Sequence, residues 1–262
     1  LILISSFAST AQVFIPPMDN AAGLALGGAL AAAPDWSRGV SNDAQPALGQ
    51  GTAVFAGTAV PYSLPGWKAH QIQAVWKPDA RSGLAVELQH AGLKAYKEQQ
   101  FRAAYGRRLG EKILLGAHTQ YLRVFAPEYG AAGGISGGLS MLAEPMPRCW
   151  FGARLQHPLG AKLAGRRLPA RLQLGAAWRS SDAFLLLLEA DKELERPAQV
   201  KVGVEYAPTA AARIRLGIRS APTRTAFGLG FRLKNGVLLD AGAEWHPNLG
   251  LTTAFMVSWQ KT

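Results

Sequence analysis

The side chains best placed to do chemistry in this chain are charged groups set two residues apart. Arg213, Arg215 and Arg219 share one parity, as do Arg224 and Arg232 a few residues on. The flanking stretches place Glu189, Asp191, Lys201 and Glu205 before them and Asp240 and Glu244 after them, again at even spacing. At a two-residue period such groups share one face of a β-strand. Opposite charges on neighbouring strands then pair across the sheet, and a ladder of this kind satisfies charges that would be costly to bury singly. Two uses follow: a structural ion network that lines or fills a closed sheet, or a basic stripe that attracts anions along a path.

Nucleophilic, metal and nucleotide chemistry find less to work with. The five histidines, His70, His90, His118, His157 and His246, form no HExxH and no paired ligand spacing, and no Gly-x-Ser-x-Gly elbow is present. His118 falls beside Gln120 on a polar strand face, and His157 and His246 each precede proline. The single Cys149 has no second cysteine with which to form an internal disulfide or a thiolate metal site. Leu26-Gly-Gly-Ala29 lacks the dinucleotide-binding spacing and follows no strand pattern. The expectation is therefore a non-enzymatic protein with no catalytic residue, metal or cofactor, an outer-membrane enzyme being the weakest alternative.

The elements that must position these charges are read from alternation. The chain has 262 residues, a formal charge of +11, 48% hydrophobic residues, 17% charged residues and 29 glycines. Basicity of this size suggests nucleic acid, but the cations are spread singly through apolar stretches, so no nucleic-acid partner is expected. No apolar run reaches the roughly 18 residues of a membrane helix. From Thr52 onward, alternating segments of about ten residues are separated by Pro, Gly, Asn or Asp clusters. They place strands near 52–61, 67–77, 82–93, 95–106, 111–125, 130–143, 147–157, 168–179, 182–193, 197–207, 210–220, 223–233, 236–246 and 249–260. One face is almost uncharged, as in Val200, Val202 and Val204 or Phe227, Leu229 and Phe231, while the other collects the charge.

A soluble barrel or sandwich would bury the uncharged face, whereas an outer-membrane barrel turns it to lipid and keeps charge in the lumen. The aromatics favour the membrane. With both termini periplasmic, Trp76, Tyr105, Trp178, Tyr206 and Trp259 fall at periplasmic strand ends, and Tyr62, Trp67, Tyr96, Tyr121, Phe125 and Trp245 at external ends. These are two interfacial girdles. The fold expected is all-β: a 14-stranded antiparallel transmembrane β-barrel of a Gram-negative outer membrane, with a short helical and irregular plug segment at its N-terminus. Lipid or lipopolysaccharide is the expected surround, and Lys162, Arg166 and Arg167, in the long external connection from His157 to Pro169, are candidate contacts for headgroup phosphates.

Residues 1–11 read as the end of a secretory signal peptide, with Ser9 and Ala11 at the −3 and −1 positions and Gln12 as the mature start. The signal's own beginning would precede the sequence. Residues 12–50 carry Pro16, Pro17, Pro34 and Pro46 with an Ala/Gly-rich stretch, and suggest a short helix near 20–33 and an irregular return. Residues 51–262 form the barrel.

Leu26, Gly27, Gly28 and Ala29, then Asn42, Pro46, Ala47 and Leu48, followed by segments such as Val202-Gly-Val-Glu-Tyr206, resemble the fatty-acid-transporter (FadL) superfamily of outer-membrane barrels. The style is closest to the PorV/PorQ-like barrels of Bacteroidota, which belong to or resemble type IX secretion components. The family's second segment usually reads Asn-Pro-Ala; here Gln45 precedes Pro46-Ala47 and Asn42 stands three residues earlier. The resemblance implies that the N-terminal segment is a plug inside the barrel, with Gly27 and Gly28 allowing close approach to the wall. The same glycines would equally serve as an ordinary helix C-cap. Two functions follow from the resemblance, and the first is the main expectation, because a path for hydrophobic molecules should show contiguous apolar lumen residues where this face carries Arg, Glu, Asp and Gln. One is an accessory or scaffold barrel in protein export or surface attachment, with a secretion-machinery or cargo protein as partner. The other is a passive channel for hydrophobic small molecules, for which Leu24, Leu26, Leu30 and Val40 would supply a small apolar pocket.

Overall fold

The computed structural model describes residues 19–194 and 196–261. The signal-peptide reading of residues 1–11 and the start of the N-terminal segment at Gln12 lie outside the described residues.

Fourteen strands close into one antiparallel barrel. The first seven are β1 (Thr52–Val60), β2 (Lys68–Trp76), β3 (Ser82–Leu93), β4 (Tyr96–Arg108), β5 (Ile113–Ala126), β6 (Gly130–Met146) and β7 (Cys149–Gln156). A separate two-stranded ladder follows, β8 (Lys162–Leu163) with β9 (Arg166–Arg167). The barrel resumes with β10 (Arg171–Trp178), β11 (Phe184–Glu193), β12 (Gln199–Tyr206) and β13 (Ala212–Arg219). It ends with β14 (Arg224–Arg232), β15 (Val237–His246) and β16 (Gly250–Lys261). Each barrel strand pairs with its neighbours in the chain, and β1 closes on β16 from Thr52 opposite Lys261 to Val60 opposite Thr253. Closure leaves no unpaired edge, which a hydrocarbon surround requires. The fourteen-strand reading of the sequence thus holds.

Alternation sorts the side chains as the two-residue period dictates. On β12, Lys201 and Glu205 are buried inside while Val200 is exposed outside. The exposed wall is leucine, valine, isoleucine and phenylalanine on strand after strand, a belt too large and continuous for a water-facing surface. The barrel therefore spans a membrane, with the apolar face toward lipid. One row of paired residues shows the height of that belt. It runs from Lys261 through Thr52, Trp76, Leu84, Tyr105, Ala117, Leu139, Leu155 and Leu172 to Lys192. Barrel strands tilt, so the row climbs the wall. With the end that carries residues 52 and 261 taken as periplasmic, it starts at a lysine on that rim, ends at a lysine on the external rim, and carries no charge between them.

Residues 19–50 lie inside the barrel. Asn20 caps α1 (Ala21–Ala25), its side chain accepting from the Gly23 N–H at 2.9 Å. The helix is one turn and not the 20–33 element expected, because Gly27 (φ 64°) and Gly28 (φ 74°) take left-handed conformations that end it. Two short 3-10 turns, Trp36–Arg38 and Gln45–Ala47, carry the chain back to β1. Leu26, Ala29, Ala44 and Ala47 pack with inward-facing Leu114, Leu142, Leu185 and Leu187 in a buried apolar layer across the lumen.

Candidate functional site

The luminal segment fits because the wall is stripped of side chains where the two meet. Gly83, Gly106 and Gly116 are successive cross-strand partners on β3, β4 and β5, and Gly152 opposes Gly175. On the other side of the barrel Gly203 opposes Gly217, and Gly228 opposes Gly242. A Cβ on Gly83 would lie 2.0 Å from the Pro46 carbonyl oxygen, and one on Gly116 would lie 2.2 Å from the Asp43 carbonyl carbon. Gly27 and Gly217 are as close from the segment's side, a Gly217 Cβ falling 2.2 Å from the Gly27 nitrogen. Both roles open to Gly27 and Gly28 are thus used together: they end the helix, and Gly27 lies against the wall.

Polar ties then fix the segment. The Gln73 side chain accepts from the Val40 N–H at 2.7 Å and donates to the Val40 carbonyl at 2.8 Å. The Ala31 N–H donates to Glu189 at 2.9 Å, and Asn42 Nδ2 donates to the carbonyls of Ala31 and Met141. Arg38, itself buried, pairs with Glu205 at 2.6 Å. Asp43 accepts from Arg102, His118 (2.8 Å) and Ser140 (2.5 Å) on three strands. Burial alone would raise the Asp43 carboxyl, but Arg102 and then His118 outweigh it and hold it well below the usual carboxylate range. Gln45, the departure from Asn-Pro-Ala, ties the return of the segment together. Its side chain accepts from the N–H groups of Ser41 and Asn42 and donates to the Ala33 carbonyl. The Trp36 indole donates to the Gln45 carbonyl at 2.6 Å. Pro46 and Ala47 are buried beside it.

The charged residues separate into clusters and do not form one stripe. Lys201 bridges Glu189 and Asp191, each at 2.7 Å, and Arg171 completes Asp191. Arg215, wholly buried, joins Glu205 (2.6 Å) to Asp240. Arg219 and Arg224 hold Glu244 at 2.8 and 3.2 Å, and Arg219 also reaches Asp19 of the segment. Arg213 stands 3.9 Å from Glu205, and Arg232 is exposed at the periplasmic end. Arg171, Gln173, Arg102 and Arg154 are members that arginine spacing on β13 and β14 gave no means of finding.

Two cavities flank the segment. The external one, about 490 Å³, has an apolar side made by Leu24, Leu30 and Val40 of the segment with Ala59, Ala69 and Trp67 of the wall. Its other side is polar, with Arg154, Gln156, Gln173, Glu189 and Lys201 among its residues. Leu26 is not part of it; that side chain is buried against Gly203. The periplasmic cavity, about 410 Å³, is bounded by Asp35, Trp36 and Arg38 of the segment and by Arg179, Arg213 and Arg232. Among the described residues none borders both.

His118 and His246 serve structure. His118 and Ser140 bind the same Asp43 carboxylate, so the imidazole is not placed to take the serine proton. His246 Nδ1 accepts from the N–H groups of Asn248 and Leu249, capping the last external turn. Ser136 and His157 form a pair at 2.7 Å at the mouth. Cys149 is a half-buried free thiol at the start of β7. Among the described residues no three metal-ligating side chains come together.

The aromatics divide. Tyr105, Trp178, Tyr206 and Trp259 are exposed at periplasmic strand ends, with Trp76 half-buried at the end of β2, and Tyr121 and Trp245 are exposed toward the external side. Trp67 and Tyr62 border the external cavity, and Tyr62 packs edge-on against His246. Tyr96 shares the inward parity of buried Glu98 and donates to it at 2.8 Å. These three leave the external girdle read from the sequence. The turn backbone, and for Tyr96 the parity of β4, sets their direction.

No family model and no curated protein matches the sequence. Solved structures do match the fold. The toluene transporter TbuX of Ralstonia pickettii superposes with a TM-score of 0.71 over 93% of this chain and 98% of its own, at 12% identity. A FadL homologue of Pseudomonas aeruginosa gives 0.67 over 94% and 98% at 13% identity. The toluene transporter TodX of Pseudomonas putida gives 0.66 over 95% and 98% at 12% identity. By structural similarity, this chain has the fold of the FadL-type outer-membrane barrels.

Proposed function

We propose that the chain is a passive, non-enzymatic outer-membrane channel for small hydrophobic or amphipathic molecules, with residues 19–50 as its plug. The observation that carries this reading is the external cavity, where Leu24, Leu30 and Val40 of the segment and Ala59, Ala69 and Trp67 of the wall form an apolar side facing polar and charged groups. Entry needs no chemistry, only apolar surface and a few polar groups to orient the guest. Of the cations that border the cavity, Arg171, Lys201 and Arg219 are already paired with carboxylates, and Arg154 donates to Gln173. The known proteins of like fold described as toluene transporters support the same class of cargo.

The export or surface-attachment role suggested by the PorV/PorQ-like resemblance has no such feature behind it. The strands are joined externally by short turns apart from residues 157–170, and part of that connection, with Leu163 and Leu168, is buried against Leu122 and Val124.

The test is uptake of labelled toluene by cells that lack other hydrocarbon channels. The wild-type barrel should raise the initial rate severalfold over cells without it, and Leu30→Trp or Val40→Trp, which fill the cavity, should remove most of the gain. No gain with a folded wild-type barrel would contradict the reading. A stable secretion partner recovered from the same membranes would then turn it toward export.

A further inference from the structure

The outer wall of β2 to β5 carries polar and cationic side chains where the rest of the barrel carries lipid-facing apolar ones. Thr58, His70, His90, Gln99 and Arg123 are successive cross-strand partners on β1 to β5, all exposed and all outward by parity. In the parallel row nearer the strand ends, Lys68 and Lys97 flank Gly92. With no side chain between them, the two ammonium groups stem from strands about 9.5 Å apart, two strand spacings. Lys94, exposed in the β3–β4 turn, adds a fourth cation at the same end. Directly below lie Ile72, Leu88, Phe101 and Tyr121, a continuous exposed apolar row.

On the outward face of these strands the charge has one sign, although the lumen side holds the cation Arg102 as well as carboxylates. The only carboxylates on β1 to β5, Glu87 and Glu98, face inward and are buried. Lys68, Lys97 and Arg123 have no ion pair among the described residues. The height is that of the external interface, since hydrogen-bonded rows climb outward in the order β1 to β11. Arg123 stands on β5 two residues beyond the exposed ring of Tyr121. Cations directly above an apolar belt match a molecule with phosphate above acyl chains.

The hairpin cations are placed differently. Leu163 and Leu168 are buried against inward-facing Leu122 and Val124, so β8 and β9 fold over the mouth, and Lys162, Arg166 and Arg167 belong to the lumen entrance.

We propose that Lys68, Lys97 and Arg123, with His70, His90 and Gln99 between them, form a binding site on the outer wall for the phosphate headgroup of a phosphorylated lipid of the external leaflet, its acyl chains lying along Ile72, Leu88 and Phe101.

The test is native mass spectrometry of the folded, detergent-purified barrel titrated with lipid A and with the same lipid stripped of its phosphates. The triple variant Lys68→Gln, Lys97→Gln, Arg123→Gln should bind lipid A about tenfold or more weakly, given roughly a tenfold effect for little more than one such charge. The mouth variant Lys162→Gln, Arg166→Gln, Arg167→Gln should bind as wild type, and the stripped lipid should bind wild type no better than lipid A binds the triple variant. Heat-modifiable gel migration confirms folding; if the triple variant does not fold, the three single variants take its place, each expected to weaken binding. Equal binding by wild type and triple variant, equal binding of both lipids, or full displacement of lipid A by inorganic phosphate would overturn the proposal.

Discussion

Gly152 on the barrel wall and Ala31 in the luminal segment are in backbone contact: a Cβ on Gly152 would lie 2.0 Å from the Ala31 carbonyl oxygen. Two strands away, on β11, Glu189 holds the same residue by accepting the Ala31 N–H. Wall glycine and wall carboxylate together leave Ala31 one position. Gly152→Val should therefore let the barrel close normally, since β-branched residues suit strands, while forcing the segment away. Limited proteolysis reads this directly: cleavage within residues 19–50 should rise severalfold with barrel migration on gels unchanged. A cleavage pattern identical to wild type would show that the contact does not hold the segment.

Arg215 is the largest fully buried side chain among the described residues, and it joins Glu205 on the adjacent β12 to Asp240 on β15, two strands the other way. Removing the cation leaves both acids facing each other in the lumen, with Arg38 partnering only Glu205. Breaking a buried ion pair from one side costs about 3–5 kcal/mol. Arg215→Met should lower the denaturant midpoint of the detergent-solubilised barrel accordingly, and adding Asp240→Asn should restore a large part. Independent, additive losses in the double variant would rule out the coupling.

Asp43 gives the segment a dependence on pH with a defined sign. Its carboxyl is held below the roughly 4 of an unfolded aspartate. The stability it confers is therefore complete above about pH 4 and is lost as pH falls below that value. Asp35, lowered by Arg38 and Arg179 against the effect of burial, acts in the same window. Hydrogen exchange over residues 19–50 should be constant in protection from pH 8 to pH 5, after correction for intrinsic rates, and should fall below pH 4. Asp43→Asn should loosen the segment already at neutral pH. A loss of protection on raising pH would be the wrong sign.

The barrel was legible because a two-residue period survives any tertiary arrangement: Val200, Val202 and Val204 face one way whatever lies opposite. Glu189, Lys201 and Arg215 were legible as inward for the same reason. Their partners were harder to read, since the Lys201 link to Asp191 and the Arg38 link to Glu205 depend on register and on a segment distant in sequence. The glycines on β3 to β15 carried no signal of their own, because a strand glycine reads as weak propensity until the Pro46 or Ala31 backbone is placed against it. Gln45 read as a departure from Asn-Pro-Ala, yet its side chain organises the return of the segment. Tyr96 shows the limit at strand ends, where position suggested an interfacial ring and parity turned it inward to Glu98.

Planar-bilayer conductance tests the central claim, that residues 19–50 close the barrel between an external and a periplasmic chamber. The full chain should conduct little, and the chain lacking residues 19–48 should show large, long-lived openings once its folding is confirmed by heat-modifiable migration. Equal conductance from both would contradict the account.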